Sequence, residues 1–404
     1  MTLAQRQQAL DRCLSAFRPL WHAQPFREIR PDWCLEWPAL AAELLALDDA
    51  EQVRLANDGE AAASFVARHV GDLAVLPDLA QVAACHASAL PDHGHFWAHG
   101  IPGRKQAQIE AFAASVARSG QPVVDWCGGK GHLGRLLALY WQVRVTTLEI
   151  DRGLCVDGEH LAGRAGVAQC FVATDVTLPE TLLQCGGHAV ALHACGHLHR
   201  ALVAGAAGQG LAALDLAPCC YHLGIEREYL PLSGPLQTPL SGDDVRLAVT
   251  ESVTAAPRQA RQRDREMAWK LGFDAWRRLE SGMDDYLNFR PVPAAWARGS
   301  FAGFMALMCA RERMAAPTAQ RMEMLERRGW ERQREVMRLS IVRHAFRRPL
   351  EVWLVLDLAV RLENDGYSVD LGQFCERRLT PRNLLISARL NRTGKWRGRP
   401  GGWR

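Results

Sequence analysis

The chain has 404 residues, 48% hydrophobic and 23% charged, which allows a sizeable core in one or two domains. Its net charge of +4 is unevenly spread: residues 1–100 hold 13 acids against 7 basic residues, 256–348 hold 20 basic against 11 acidic, and 376–404 hold 9 basic against 1. No apolar run reaches the roughly 18–20 residues of a membrane span, which excludes an integral helical membrane protein.

The N-terminus (MTLAQRQQALDRC) is polar and amphipathic, unlike a signal peptide. Together with 12 scattered cysteines it predicts free thiols in a reducing cytoplasm. The basic C-terminal half suits a polyanion such as RNA, or equally a solvated face of arginine-rich helices. Arginine outnumbers lysine 44 to 4, and composition bias alone can produce that.

Residues 1–90 read as an N-terminal helical region, with apolar residues at helical spacing through Leu3–Phe17, Leu40–Leu47 and Ala61–Val70. A His/Gly/Pro loop from Pro91 to Pro102 precedes a helix over 104–117; its His93, His95 and His99 read as loop polarity. From 121 the pattern alternates. Strands are predicted at 122–127, 143–150, 169–173, 189–193 and 211–217, with helices at 133–141, 154–162 and 198–206. Short apolar strands separated by helices predict an α/β fold with a parallel sheet covered on both faces. Residues 91–222 would hold the first five strands and 223–345 a helical insertion. A helix at 350–362 and strands at 367–371 and 383–390 would complete the sheet within 346–390. Residues 391–404 are predicted to be a basic disordered tail.

The most informative stretch is Val123-Val124-Asp125-Trp126-Cys127-Gly128-Gly129-Lys130-Gly131-His132-Leu133-Gly134. An apolar strand meets an acid, then a glycine-rich turn, then a helix start whose free N–H groups can face a cofactor. Gly129-Lys-Gly131-His-Leu-Gly134 fits the dinucleotide pattern, a short and common one, and no Lys-Ser or Lys-Thr follows to make a phosphate loop. The acids discriminate further. Asp125 precedes the turn, Glu149 closes the second strand, and Asp175 closes the third, followed by Val176. Glu149 can accept both ribose hydroxyls and Asp175 the adenine amino group, while Asp125 orients the turn and balances a cationic centre.

This arrangement resembles class I S-adenosylmethionine-dependent methyltransferases. The resemblance implies a Rossmann-like seven-stranded sheet, S-adenosyl-L-methionine as cofactor, and contacts from Lys105, Asp125, Cys127, Gly129, Gly131, His132, Leu133, Glu149, Asp175 and Val176. Cys127 departs from the pattern, standing where such enzymes usually have their first glycine. Two later motifs, Leu192-His193-Ala194-Cys195-Gly196-His197-Leu198 and Ala217-Pro218-Cys219-Cys220-Tyr221-His222, sharpen the likeness. With the opening motif they resemble the family that includes methyltransferase-like protein 25 and the glutathione S-transferase C-terminal-domain-containing protein. More distantly they are similar to the acceptor-stem tRNA 2′-O-ribose methyltransferase. Arg348-Pro349-Leu350-Glu351 and Leu379-Thr380-Pro381-Arg382-Asn383 look like that group's final helix and last strand. The likeness spans roughly 100–222 and 345–390. His197 stands where that group commonly has an aspartate, and Arg200 where the tRNA enzyme has its own.

In a doubly wound sheet the first, fourth and fifth strands are neighbours and bind ligands at their carboxyl ends. Cys127, His193, Cys195, Cys219, Cys220 and His222 should therefore converge. They can line an acceptor pocket, hold zinc, or pack as small apolar thiols. Neither cysteine motif has the C-x2-C spacing of structural zinc sites, so no metal is expected. The predicted catalytic residues are His193, Cys195 and His222, with imidazole as the natural base near neutral pH. The predicted substrate pocket is Gly196, Pro218, Cys219, Cys220 and Tyr221. The leading function is RNA methylation (tRNA or rRNA). A protein or small-molecule acceptor is the second reading, and a non-catalytic RNA-binding protein of this fold the third.

Overall fold

Seven short apolar segments pair into one sheet in the order β3-β2-β1-β4-β5-β7-β6. The strands are β1 (Val123–Trp126), β2 (Val145–Glu149), β3 (Gln169–Ala173), β4 (His188–Cys195), β5 (Ala213–Cys219), β6 (Tyr367–Gln373) and β7 (Leu384–Leu390). The structure is a computed structural model describing residues 1–92, 94, 97–178, 187–235, 237, 239–251, 257–288 and 290–391. His93, His95 and nearly all of the predicted basic tail lie outside the described residues. Strands β1 to β5 are parallel, and β7 runs antiparallel to both β5 and β6. This is the Rossmann-like seven-stranded α/β sheet that the alternating pattern and the resemblance predicted.

Helices cover both faces because the parallel strands are apolar throughout; every residue of β1 and β5 is buried. One core cluster joins Ile109 and Phe112 of the helix Gly103–Ser115 with Leu133, Leu136, Leu137 and Trp141 of the helix His132–Trp141. Val123, Val145, Val190, Phe374 and Leu385 complete it from the strands and the β6–β7 side. The helix Arg347–Asn364 is buried along most of its length. Its Asp357 is fully buried and accepts hydrogen bonds from Tyr229 Oη (2.7 Å), Leu232 N (3.0 Å), Ser233 N (2.8 Å) and Ser233 Oγ (2.7 Å). A carboxylate satisfied this fully fixes the chain that follows β5.

The packing divides the chain into two units: residues 1–16, 78–251 and 347–404, and residues 17–77 with 252–346. The division does not follow the expected boundaries near 90 and 223. Helix Leu3–Ala16 packs on Arg347–Asn364 in the sheet unit, whereas Pro38–Ala46 and Gly59–Ala67 pack on Ala319–Leu339 and Ile341–Ala345 in the helical unit. Periodicity marks each helix, but not which core its apolar stripe feeds. The helical unit has its own core of Trp269, Phe273, Trp276, Phe301, Phe304, Met305 and Met308. Among the described residues no helix is long and apolar enough to cross a membrane.

Candidate active site

The turn after β1 is built by backbone conformation. Cys127, Gly129 and Gly131 have φ of 55°, 59° and 62°, the left-handed region. Gly131 also lacks room, since a Cβ there would sit 2.3 Å from Gln169 Nε2 and 2.6 Å from the Phe171 ring. Cys127 adopts the conformation that the usual glycine would take without strain, so the departure seen in the sequence is accommodated at some cost in backbone energy.

Asp125 lies beneath this turn. Its Oδ2 accepts from Gly134 N (3.1 Å) and Thr147 Oγ1 (3.4 Å), so it holds the helix start from below, as a positioning residue. Burial pushes its carboxyl up to about 6, against the lowering effect of those two bonds and of Lys105. Gln169, which the sequence reading missed, donates from Nε2 to Gly131 O and Thr147 Oγ1, both at 2.9 Å.

A carboxyl raised by burial contributes its stability below the unfolded value near 4, and loses it as pH rises through about 6. Asp125→Asn keeps an oxygen for Gly134 N and removes the charge. We expect the variant to gain on the order of 2 kcal/mol at neutral pH relative to its difference at pH ~4. Urea midpoints at the two pH values check this; an equal change at both would contradict the assignment.

Glu149 closes β2 facing the turn. Its Oε2 accepts from Gly129 N (3.0 Å), and its Oε1 from Ile150 N (2.9 Å) and Asp151 N (3.1 Å). Beyond β3, Asp175 Oδ1 accepts from Thr177 N (2.9 Å) and Thr177 Oγ1 (2.7 Å), which holds its carboxyl below the usual range. Val176 beside it is buried. The two acids thus end adjacent parallel strands, paired through Glu149 and Ala173, with the glycine turn next to the first.

Other predicted contacts point elsewhere. The Leu133 side chain belongs to the core, leaving only its backbone at the turn. His132 is buried, and its Nδ1 lies 2.6 Å from an Arg135 amino group. Arg135, also missed, is buried and donates to Trp97 O (3.2 and 3.0 Å), tying the preceding loop to the turn's helix. Burial and the Arg135 charge lower His132 to about 4. Lys130 turns away to pair with Asp157 at 2.6 Å. Lys105 is exposed on the first turn of Gly103–Ser115, close enough for its charge to act on Asp125, His132 and His193.

The β4 and β5 ends do converge. A register shift between Leu192 and Ala194 opens at His193, whose φ is 64°, and brings Cys195 beside Cys219. The Cys195 and Cys219 sulfurs are 3.4 Å apart, and Cys219 Sγ donates to His193 O at 3.2 Å. Cys220 follows with φ 46°. The three thiols act on one another through hydrogen bonds, which lower Cys195 and Cys220 and raise Cys219.

His193 Nε2 lies 3.1 Å from Gln108 Oε1; as that oxygen only accepts, Nε2 carries the proton and Nδ1 is the basic nitrogen. Burial, then Arg382 and Lys105, lower His193 to about 4, and burial lowers His222 as well. Both imidazoles are neutral at neutral pH and weaker bases than free histidine. Pro218 and Tyr221 are buried, Tyr221 edge-on to His199. Gly196 has φ 49° and touches the following loop so closely that a Cβ would lie 2.2 Å from Leu223 O. A cavity of about 620 Å³ opens beyond it, lined by His197, Arg200 and the loop Leu223–Leu230.

Residues 104–226 match a known family described as a methyltransferase domain. They span the leading helix, the glycine turn, both acids and the two cysteine motifs. This segment is similar to methyltransferase domains. Curated proteins yield no match. Solved structures similar to the chain include coclaurine N-methyltransferase bound to N-methylheliamine and SAH, at 12% identity over 86% of this chain and 90% of that one. Its TM-score is 0.26, too low to bear on this site. The residues present fit S-adenosylmethionine as a cofactor. Glu149 and Asp175 can supply acceptors for an adenosine, and beside Glu149 the space around Gly129 is open: among the described residues, its chain neighbours aside, no heavy atom lies within 4 Å of where its Cβ would be. The family match alone would not have shown how Gln108, Arg135, Gln169 and Arg382 support the turn and the strand ends. Their signal in the sequence is absent because each acts through a contact distant along the chain.

Proposed function

We propose that the methyltransferase domain acts on RNA, as an enzyme of the type that includes methyltransferase-like protein 25. The observation that carries the methyl-transfer reading is Glu149, which grips the glycine turn at Gly129 N and ends the strand next to that of Asp175. Support for RNA is the pair of cysteine motifs, similar to those of the tRNA enzyme, and the arginine-rich 256–348 stretch.

S-adenosylmethionine supplies an electrophilic methyl group on a sulfonium. Displacement at that carbon is accelerated chiefly by positioning. Asp125 and Gln169 hold the turn, Glu149 and Asp175 present acceptors, and the neutral His193, steadied by Gln108, offers Nδ1 to a proton or a hydrogen bond. Its lowered basicity suits orienting an acceptor better than stripping a proton from one of high pKa.

One observation favours a protein or small-molecule acceptor instead. Much of the arginine charge in the helical unit is engaged internally: Arg277 and Arg278 pair with Asp274, Arg332 pairs with Glu335, and Arg265 and Arg311 stack over Trp269 and Trp296. Purified protein and labelled methyl donor, added to a lysate lacking this protein, separate the readings. Label in RNA is expected. Label confined to a protein band or to small molecules would sink the RNA reading, and cofactor binding without any label would mean a non-catalytic protein.

A further inference from the structure

We infer that Cys195, Cys219 and Cys220 form a three-thiolate site for a soft metal ion, zinc(II) or copper(I), at the carboxyl ends of β4 and β5. The three Sγ atoms lie within 4.8 Å of one another. A tetrahedral zinc with Zn–S bonds of about 2.3 Å would hold sulfurs about 3.8 Å apart, so the existing positions need little adjustment. Thiolates are the ligands that select zinc and copper(I) over harder ions.

The backbone is arranged to bring these sulfurs together. Cys195 and Cys219 are register partners on adjacent strands, and that pairing exists only because β4 shifts register between Leu192 and Ala194. Such irregularities re-aim side chains. Cys220 then adopts φ 46°, a conformation costly for a side chain other than glycine, and its sulfur joins the other two. Three thiols packed as apolar filler would need neither feature. Cys195 and Cys220 are also only partly buried, so an ion can reach them.

Charge is consistent with this site. Three thiolates around a divalent ion leave one negative charge, and the Arg382 guanidinium acts electrostatically on Cys220, Tyr221 and His222. Arg382 is itself fixed by donating to Glu251 O (3.0 Å) and Val249 O. Three protein ligands with a fourth position open is the donor set of a reactive metal site, whereas structural sites are closed by four. The absence of C-x2-C spacing argued against a metal, but here the ligands come from two strands, which local spacing cannot show. The inference does not depend on RNA being the acceptor.

The test uses the full-length protein, purified reduced and without chelator. Elemental analysis should find one zinc or copper per chain. Cobalt(II) titration of the metal-free protein should give a thiolate-to-metal charge-transfer band. Cys195→Ser, Cys219→Ser and Cys220→Ser should each lose the band and weaken zinc binding by about a hundredfold, while Cys170→Ser should not. Competition with a zinc-selective and a copper(I)-selective chelator tells which ion is held.

Because Cys219 is buried and its variant can misfold, alkylation of the unaltered protein gives a second readout. Metal loading should slow modification of Cys195 and Cys220 about tenfold or more, leaving the exposed Cys170 unchanged. Substoichiometric binding of both ions overturns the inference. So does an undiminished cobalt band in the three variants, or a Cys195–Cys219 disulfide in place of metal. Calorimetry with S-adenosylmethionine on the same samples reports the cofactor site separately.

Discussion

Glu149→Ala is expected to weaken S-adenosylmethionine binding by about a hundredfold or more, the loss that follows when two hydrogen bonds to a charged acceptor go. The carboxylate has two jobs, and the alanine removes both. It accepts from Gly129 N in the turn and from Ile150 N and Asp151 N in its own loop, and in the proposed reading it also accepts from the ribose hydroxyls. Glu149→Gln retains one acceptor oxygen and should fall between the two. Calorimetry measures the affinity, and a thermal shift with saturating cofactor, large in the parent and small in the variant, checks it independently. An alanine variant binding within about threefold of the parent would mean that the ribose lies elsewhere.

The sheet unit is expected to lose stability as pH falls from about 6.5 toward 4, with His199 as a principal cause. His199 is buried, its Nδ1 2.9 Å from Ala194 O, and burial lowers it to about 4. It stays neutral in the fold while the unfolded chain takes up a proton near 6.5. Its contribution is therefore complete above pH ~6.5 and lost as the pH drops through the window, up to about 3 kcal/mol. His132 acts in the same direction with a smaller share, because solvent screens the turn more. Asp125 acts oppositely, so Asp125→Asn should steepen the decline. Imidazole resonances recorded from about pH 7 to 5 should show no titration of His199. A midpoint near 6.5 for that ring would remove the explanation.

Much of the fold was legible because parallel strands are continuous apolar runs and the helices between them keep a clear period. Strands β2 to β5 were foreseen within a few residues, and Tyr367–Gln373 and Leu384–Leu390 were correctly expected to complete the sheet. The acids Asp125, Glu149 and Asp175 were legible as strand-end residues, and the expected role of Asp125 in orienting the turn matches its bond to Gly134 N. Full burial of Asp125 was not legible, and Leu133, expected among the cofactor contacts, has its side chain in the core. The site predicted around Pro218 and Tyr221 resolves into buried side chains, with the open space lying farther on, at His197 and Leu223–Leu230.

What the order of residues determined alone is local. Two valines, Asp125, Trp126 and then a glycine-rich stretch read as a strand and a tight turn, and alternation of such units points to a doubly wound sheet. What needed the tertiary structure is everything that depends on registers and distant partners. Helices 1–16 and 17–77 carry similar stripes yet enter different cores, because burial rewards any complementary face and periodicity does not name it. Gln169 reaches the turn across two strands, Arg135 ties it to Trp97, and a single register shift in β4 sets Cys195 against Cys219. Sheet pairing converts positions more than 20 residues apart into neighbours at 3.4 Å, and no local spacing rule contains that information.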